Sequence, residues 1–366
     1  MATGVVYGRA FLKHDTGRDH LERGARIVAV IKALRKSGLV EEAELKLIRP
    51  AKADLSKPLY VHSQGLVDAV VEASSSAGYR YLDSDTVVSP GSLEAALASI
   101  GGALKAGDLI LSGRLRNALC LNRPPGHHAT RNRASGFCLF NNAAVLAAYL
   151  LRDRGLRRVL IVDWDVHHGN GTQDIFYSTS SVLFLSIHQD GRTLYPGTGH
   201  LDEVGADEGE GFNVNVPLPP GVGDDVYLEA LQRILPPIAR EFRPDFIVAS
   251  VGFDAHYKDP LGGLSLSATG YYRIASLVAS LASELCGGRL VCVLEGGYNP
   301  KYVARCAVNT IAALAGRPPP FTEASTKSHS AVRGYVRRLL GRLTSLLSRY
   351  WPSLAQGEQS FKEAWA

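Results

Sequence analysis

The sequence has no apolar run approaching the roughly 18 residues that a membrane-spanning helix needs, which excludes a helical span. It opens on "MATGVVYGRAFLKH", with no basic stretch leading into a long apolar core, so no secretory signal is expected. Its five cysteines (Cys120, Cys138, Cys286, Cys292 and Cys306) show no pairing pattern and sit mostly in apolar surroundings. Reduced, buried thiols and a cytoplasmic protein are expected. Internal repeats and low-complexity segments are also missing, which argues against a solenoid or a linker-rich chain. With 46% hydrophobic and 20% charged residues, the composition excludes a disordered chain and fits a globular enzyme.

The net charge of +5 is unevenly placed. Lys327, Arg333, Arg337, Arg338, Arg342 and Arg349 lie between Ala324 and Gln356 with no acid among them, and without those six the rest carries about −1. A near-neutral body is not the surface of a nucleic-acid-binding protein.

Short apolar runs recur along the body, namely "ALCLN" (118–122), "RVLIV" (158–162), "VLFLSI" (182–187), "FIVASV" (246–251) and "LVCVLE" (290–295). Helical periodicity fills the gaps, as in 142–155 and 226–242. Continuous rather than alternating apolar strands, separated by helices, indicate a single α/β domain whose mostly parallel sheet is covered on both faces. We place this domain at residues 1–320, closed by "GRPPPF". In 321–366, Val332, Tyr335, Val336, Leu339, Leu343, Leu346, Leu347 and Tyr350 recur every three or four positions. That pattern predicts a basic amphipathic helix. It would pack on the body, contact a partner or second copy, or meet a membrane surface or nucleic acid. Oligomeric state is left open.

A parallel sheet sends every strand-to-helix loop to one edge, where open α/β folds bind ligands. Four of these loops are polar: "RPPGHHA" with His127 and His128, "DWDVHHGNG" (163–171), "GFDAHYKDPLGG" with Asp254, and "GGYN" with Tyr298. Asp165 and His167 stand two apart, so on an extended segment both face the same way. With Asp254 they make a three-ligand set with an open position, as in catalytic zinc sites. Iron, cobalt or manganese would suit the same oxygen-rich set, and an isolated D-x-H could instead cap the following helix. Asp163 and Asn170 can partner the tandem histidines. A carboxylate partner pushes an imidazole toward the cation, and an amide partner does not.

These segments, with "SGFCLFNN" (135–142), "LSIHQ" (185–189), "YPGTG" (195–199) and "NVNVPLPPG" (213–221), resemble the zinc-dependent histone deacetylase superfamily. They are most similar to its class II branch, with the bacterial histone-deacetylase-like and acetylpolyamine amidohydrolases. The resemblance implies an arginase/deacetylase-like fold with its active site at the carboxyl ends of the strands. It implies zinc on Asp165, His167 and Asp254, with His127 paired to Asp163 and His128 to Asn170. His128 would be the general base toward water and then the acid toward the leaving amine, and Tyr298 would stabilise the oxyanion. Phe137 and Tyr195 would wall the substrate tunnel, and the Gly136 carbonyl would accept the substrate amide. Asp85 would orient the substrate backbone, although an Asx-type turn is the alternative for that residue. Leu261 stands where polyamine-preferring relatives carry a glutamate, so acetyl-lysine in proteins is the expected substrate, ahead of a small acetylated amine. One potassium ion would use Asp163 and Ser186, and a second the carbonyls of Phe176, Thr179, Val182 and Phe212. Leu21 replaces a family proline in "HLERGAR", which puts the local loop in question, while His20, Glu22 and Arg26 match.

Overall fold

The computed structural model describes residues 1–42 and 44–355. Eight parallel strands form one sheet: β1 (Ala2–Val6), β2 (Leu45–Ile48), β5 (Leu115–Cys120), β6 (Val159–Asp163), β7 (Val182–Gln189), β8 (Asn213–Leu218), β9 (Phe246–Val251) and β10 (Leu290–Leu294). A two-residue hairpin, β3 (Arg80–Tyr81) with β4 (Val87–Val88), stands apart. The sheet order is β2-β1-β5-β10-β9-β6-β7-β8. Every residue of β6, β7, β9 and β10 is buried, because helices cover both faces and leave no polar side to alternate with.

All five apolar runs are strands, four of them with shifted ends: "ALCLN" belongs to a strand that already begins at Leu115, and "VLFLSI" extends to Gln189. Strands β1, β2 and β8 escaped the apolar-run reading, since "ATGVV" is broken by glycine, "LKLI" is an edge strand with exposed residues and "NVNVPL" is interrupted by asparagines. One face carries α1 (Ala25–Lys36), α6 (Asp224–Phe242), α7 (Ala268–Cys286) and α8 (Pro300–Ala315). The other carries α3 (Ser92–Leu111) and α4 (Asn142–Arg152), with α2 (Gln64–Ser75) and α5 (Asn170–Phe176) alongside.

The basic amphipathic pattern becomes α9 (Ser330–Leu347), which packs on α6 and β8. Val336, Leu339, Leu340, Leu343 and Leu347 join the main hydrophobic core. Each such buried side chain contributes about 2 kcal/mol. Beyond the helix, the Trp351 indole N–H donates to the Gly211 carbonyl at 2.8 Å, and its ring meets Phe212 edge-on at 5.3 Å. Arg337, Arg338, Arg342 and Arg349 remain exposed. Residues 356–366 of the 321–366 segment lie outside the described residues. Among the described residues, no helix is long and apolar enough to cross a membrane.

The four polar loops follow β5, β6, β9 and β10. These are the four central, mutually adjacent strands, in the order β5-β10-β9-β6.

Candidate active site

At the end of β6 the chain leaves the extended conformation: residues 165–167 form a bend. Asp165 and His167 converge, but not through strand alternation as the spacing suggested. The His167 backbone N–H donates to Asp165 Oδ1 at 2.9 Å, an Asx-type turn that folds the imidazole back onto its own carboxylate. His167 Nδ1 then lies 3.0 Å from Asp165 Oδ1 and 3.3 Å from Asp254 Oδ2.

Each carboxylate is held by backbone through its other oxygen. Gly296 N donates to Asp165 Oδ2 at 2.7 Å, and Val166 N to Asp254 Oδ1 at 2.9 Å. Asp254 Oδ2 is buried and accepts no hydrogen bond. Position 296 must be glycine, since a Cβ there would lie 1.9 Å from Asp254 Oδ2 and 2.5 Å from Asp165 Oδ2. One oxygen of each acid and the imidazole nitrogen therefore face one another within 4.8 Å. Burial works to lower the His167 pKa, yet the hydrogen bond with Asp165 and the charges of Asp165 and Asp254 push it up to about 9. This spot favours positive charge. An orphaned carboxylate oxygen among three convergent, buried N/O donors fits a metal cation.

The tandem histidines sit against this cluster with ring centroids 4.0 Å apart. Their loop is anchored by Glu295, whose Oε2 accepts from Gly126 N at 2.6 Å and His127 N at 3.1 Å. His127 Nδ1 lies 3.0 Å from Asp163 Oδ2, and His128 Nδ1 lies 2.7 Å from Asn170 Oδ1. Burial would lower both imidazoles. For His127 the charges of Asp163 and Asp165 win and raise it to about 10. His128 has only an amide partner, and burial together with the neighbouring His127 cation holds it well below the usual value. Two adjacent histidines thus carry opposite electrostatics. His168 is a support outside the cluster: it is buried, with Thr198 Oγ1 at 2.8 Å and Gln173 Oε1 at 3.0 Å.

A cavity of about 500 Å³ opens above the cluster, lined by the buried His128, His167, Gly136 and Tyr298, the half-buried Phe137 and Leu261, and the exposed Tyr195, Asp85 and Leu21. Phe137 meets the Tyr298 ring edge-on at 5.7 Å, and Tyr195 meets His128 at 5.0 Å. Gly136 has φ +54° and a Cβ there would lie 2.5 Å from the His128 ring. Phe137 itself adopts φ +68°, a strained conformation for a bulky side chain. The Asx turn expected as the alternative for Asp85 belongs to Asp83, which accepts from Asp85 N, Thr86 N and Gly136 N. Asp85 is left exposed at the rim, its pKa raised by burial and by the Asp83 charge.

Asp163 and Ser186 are register partners on β6 and β7, and Ser186 Oγ lies 2.8 Å from His188 Nδ1. Phe176, Thr179, Val182 and Phe212 lie near the start of β7, where the Phe176 carbonyl accepts from Thr179 N and that of Phe212 from Phe184 N.

Two contributors escaped the sequence reading, Asp83 and Asp259, which hold loops through backbone N–H groups. Arg26, which matched the resemblance, is buried behind Tyr298, 5.1 Å from its ring centre. Arg26 and Arg123 share the buried carboxylate of Glu22, at 3.0 Å and 2.6 Å. Burial would raise the Glu22 pKa, but Arg123 above all holds it well below the ordinary range. Leu21 points outward at 38% exposure, so the replaced proline leaves this ion cluster intact.

Comparison with known proteins follows the same residues. A family model described as the histone deacetylase domain matches residues 20–314. A probable deacetylase of Archaeoglobus fulgidus is 41% identical, covering 86% of this chain and 87% of that protein. The histone deacetylase-like amidohydrolase of Pseudomonas aeruginosa is 43% identical over 76% of this chain and 73% of its own length. Histone deacetylase 15 of Arabidopsis thaliana is 40% identical over 97% of this chain, which spans 63% of that longer protein. The crystal structure of the HDA15 HD domain superposes with a TM-score of 0.89 at 37% identity, covering 99% of this chain and 98% of that one.

Proposed function

The chain belongs to the histone deacetylase family, and from that premise we propose that it is a zinc-dependent deacetylase that hydrolyses acetyl-lysine in proteins, releasing acetate. The observation that carries the reading is the convergence of Asp165, His167 and Asp254 beside two histidines of opposite electrostatics. Asp165, His167 and Asp254 would hold the metal. When bound, zinc supplies positive charge that polarises the acyl carbonyl and makes water more acidic.

The chain's own groups do the rest. A carboxamide oxygen can only accept, so His128 Nδ1 carries the proton facing Asn170, and Nε2 is the free base. A low pKa keeps His128 ready to take a proton from water and then pass it to the departing lysine amine. His127, held cationic by Asp163, adds positive charge beside the developing oxyanion without exchanging its proton. Tyr298 donates its hydroxyl to the acyl oxygen. Phe137 and Tyr195 enclose the aliphatic stem, Gly136 and Asp85 orient the substrate backbone, and Leu261 offers no charge to a second ammonium. Five buried, unpaired cysteines support a reduced, cytoplasmic setting. The two potassium positions rest on the resemblance alone.

The test is acetate release from an acetyl-lysine peptide and from acetylated spermidine, each with and without a metal chelator. The reading expects chelator-sensitive turnover with a preference for the peptide. Turnover of neither substrate with zinc present would leave a zinc pocket that only binds acyl chains. Preference for spermidine would overturn the substrate assignment.

A further inference from the structure

The loop carrying Asp254 continues through "HYKDPLGG", whose acid, Asp259, the chemistry above does not use. Its carboxylate bridges two loops. Oδ2 accepts from Tyr298 N at 2.6 Å and Asn299 N at 3.3 Å, and Oδ1 accepts from Leu261 N at 3.1 Å. The tie is reciprocal: Asn299 Nδ2 donates to the Lys258 carbonyl at 3.0 Å. Asp259 also sits at the N-terminus of the 16-residue helix α8, where the helix dipole favours a negative charge.

Tyr298 needs such a tether. It follows Gly296, whose N–H and carbonyl are held by Asp165 and Phe253, and Gly297, which adopts φ +106° and whose carbonyl accepts from Arg26, and Asp259 is the acceptor that holds the Tyr298 N–H itself. Among the described residues its hydroxyl meets no hydrogen-bond partner, and its ring meets Phe137 edge-on and the Arg26 guanidinium. The hydroxyl lies at the far end of the side chain, where a small backbone rotation is amplified. A misplacement of about 1 Å at a reacting group can cost about 100-fold in rate.

We infer that Asp259 is a positioning residue that fixes the backbone of Tyr298 and so aims its hydroxyl at the acyl oxygen, while tying the same loop to the rim residue Leu261. This rests on Tyr298 being the oxyanion donor. The spacing of 39 residues between the two partners explains why no local motif announces the role.

The experiment is a double-mutant cycle of Asp259→Asn and Tyr298→Phe on an acetyl-lysine peptide, with kcat, KM, bound zinc and melting temperature measured for all four proteins. The asparagine keeps the shape but presents an NH₂ where one N–H acceptor stood. The expected result is a kcat loss of about 10- to 100-fold for Asp259→Asn with KM changed by less than about threefold. In the Tyr298→Phe background the same change should cost less than about threefold, because the group it positions is gone. Zinc content and melting should stay close to wild type. Equal losses in both backgrounds overturn the inference, as does loss of zinc, which would make Asp259 a support for Asp254. If Tyr298→Phe alone is silent, the donor assignment fails first and this inference falls with it. Should Asp259→Asn fail to fold, Asp259→Glu, which keeps the charge but displaces the oxygens, goes through the same cycle with the same criterion.

Discussion

At the carboxyl edge of β5, β6, β9 and β10 the chain buries its charges, whereas along α9 it exposes them. Asp163, Asp165 and Asp254 are fully buried and crowd within one cluster with three imidazoles. Burying several like charges costs several kcal/mol per ion unless each is paired, so such a cluster is a poor source of stability and points to chemistry. The arginines of α9 cost nothing of this kind. Arg337, Arg338 and Arg342 stand in solvent while the opposite face supplies Val336, Leu339, Leu340, Leu343 and Leu347 to the core. One region trades stability for a site, and the other closes the β8 flank of the sheet.

That contrast can be broken from either side. The largest effect is expected at the edge: Tyr298→Phe should lower kcat by about two to three orders of magnitude, as loss of an oxyanion donor does, with the melting temperature little changed. Steady-state kinetics beside a thermal melt separates the two. The helix should behave oppositely. Leu340→Ala removes a fully buried side chain and should cost about 2–4 kcal/mol in denaturant unfolding while leaving kcat of the folded protein within about twofold. A loss of turnover there without a loss of stability would mean that α9 reaches the site. The smallest effect belongs to the exposed face. Replacing Arg337, Arg338 and Arg342 together by glutamine should change stability by less than about 0.5 kcal/mol and leave peptide turnover unchanged. A marked fall in turnover on the peptide would give those arginines a part in substrate capture.

The same contrast explains what could be read in the sequence. Continuous apolar runs reveal central strands because burial on both faces leaves no other pattern, so "FIVASV" coincides with β9 residue for residue. Edge strands lack that signal, and β2, with Lys46 and Leu47 exposed, shows none of it. The polar loops announce themselves by residue type: His127, Asp165 and Asp254 are conspicuous after apolar strands. Asp83 and Asp259 are not: beside local turn bonds, each accepts a backbone N–H from a residue about 40 or more positions away. No side-chain pattern encodes such a partner. Periodicity likewise predicted an apolar face on α9 without naming what covers it, since β8 and α6 are brought there only by the sheet order. The Asx turn at Asp165 shows a subtler gap. The two residues converge as the D-x-H spacing implied, but through a backbone-to-carboxylate bond rather than strand alternation.

The central claim is that Asp165, His167 and Asp254 together hold the metal on which hydrolysis depends. The most direct measurement is bound zinc and acetate release in the same preparations of the wild-type protein and Asp254→Asn. The account predicts about one zinc per chain and turnover for the wild type, with both lost together in the variant. An Asp254→Asn protein that keeps stoichiometric zinc and full turnover would contradict it.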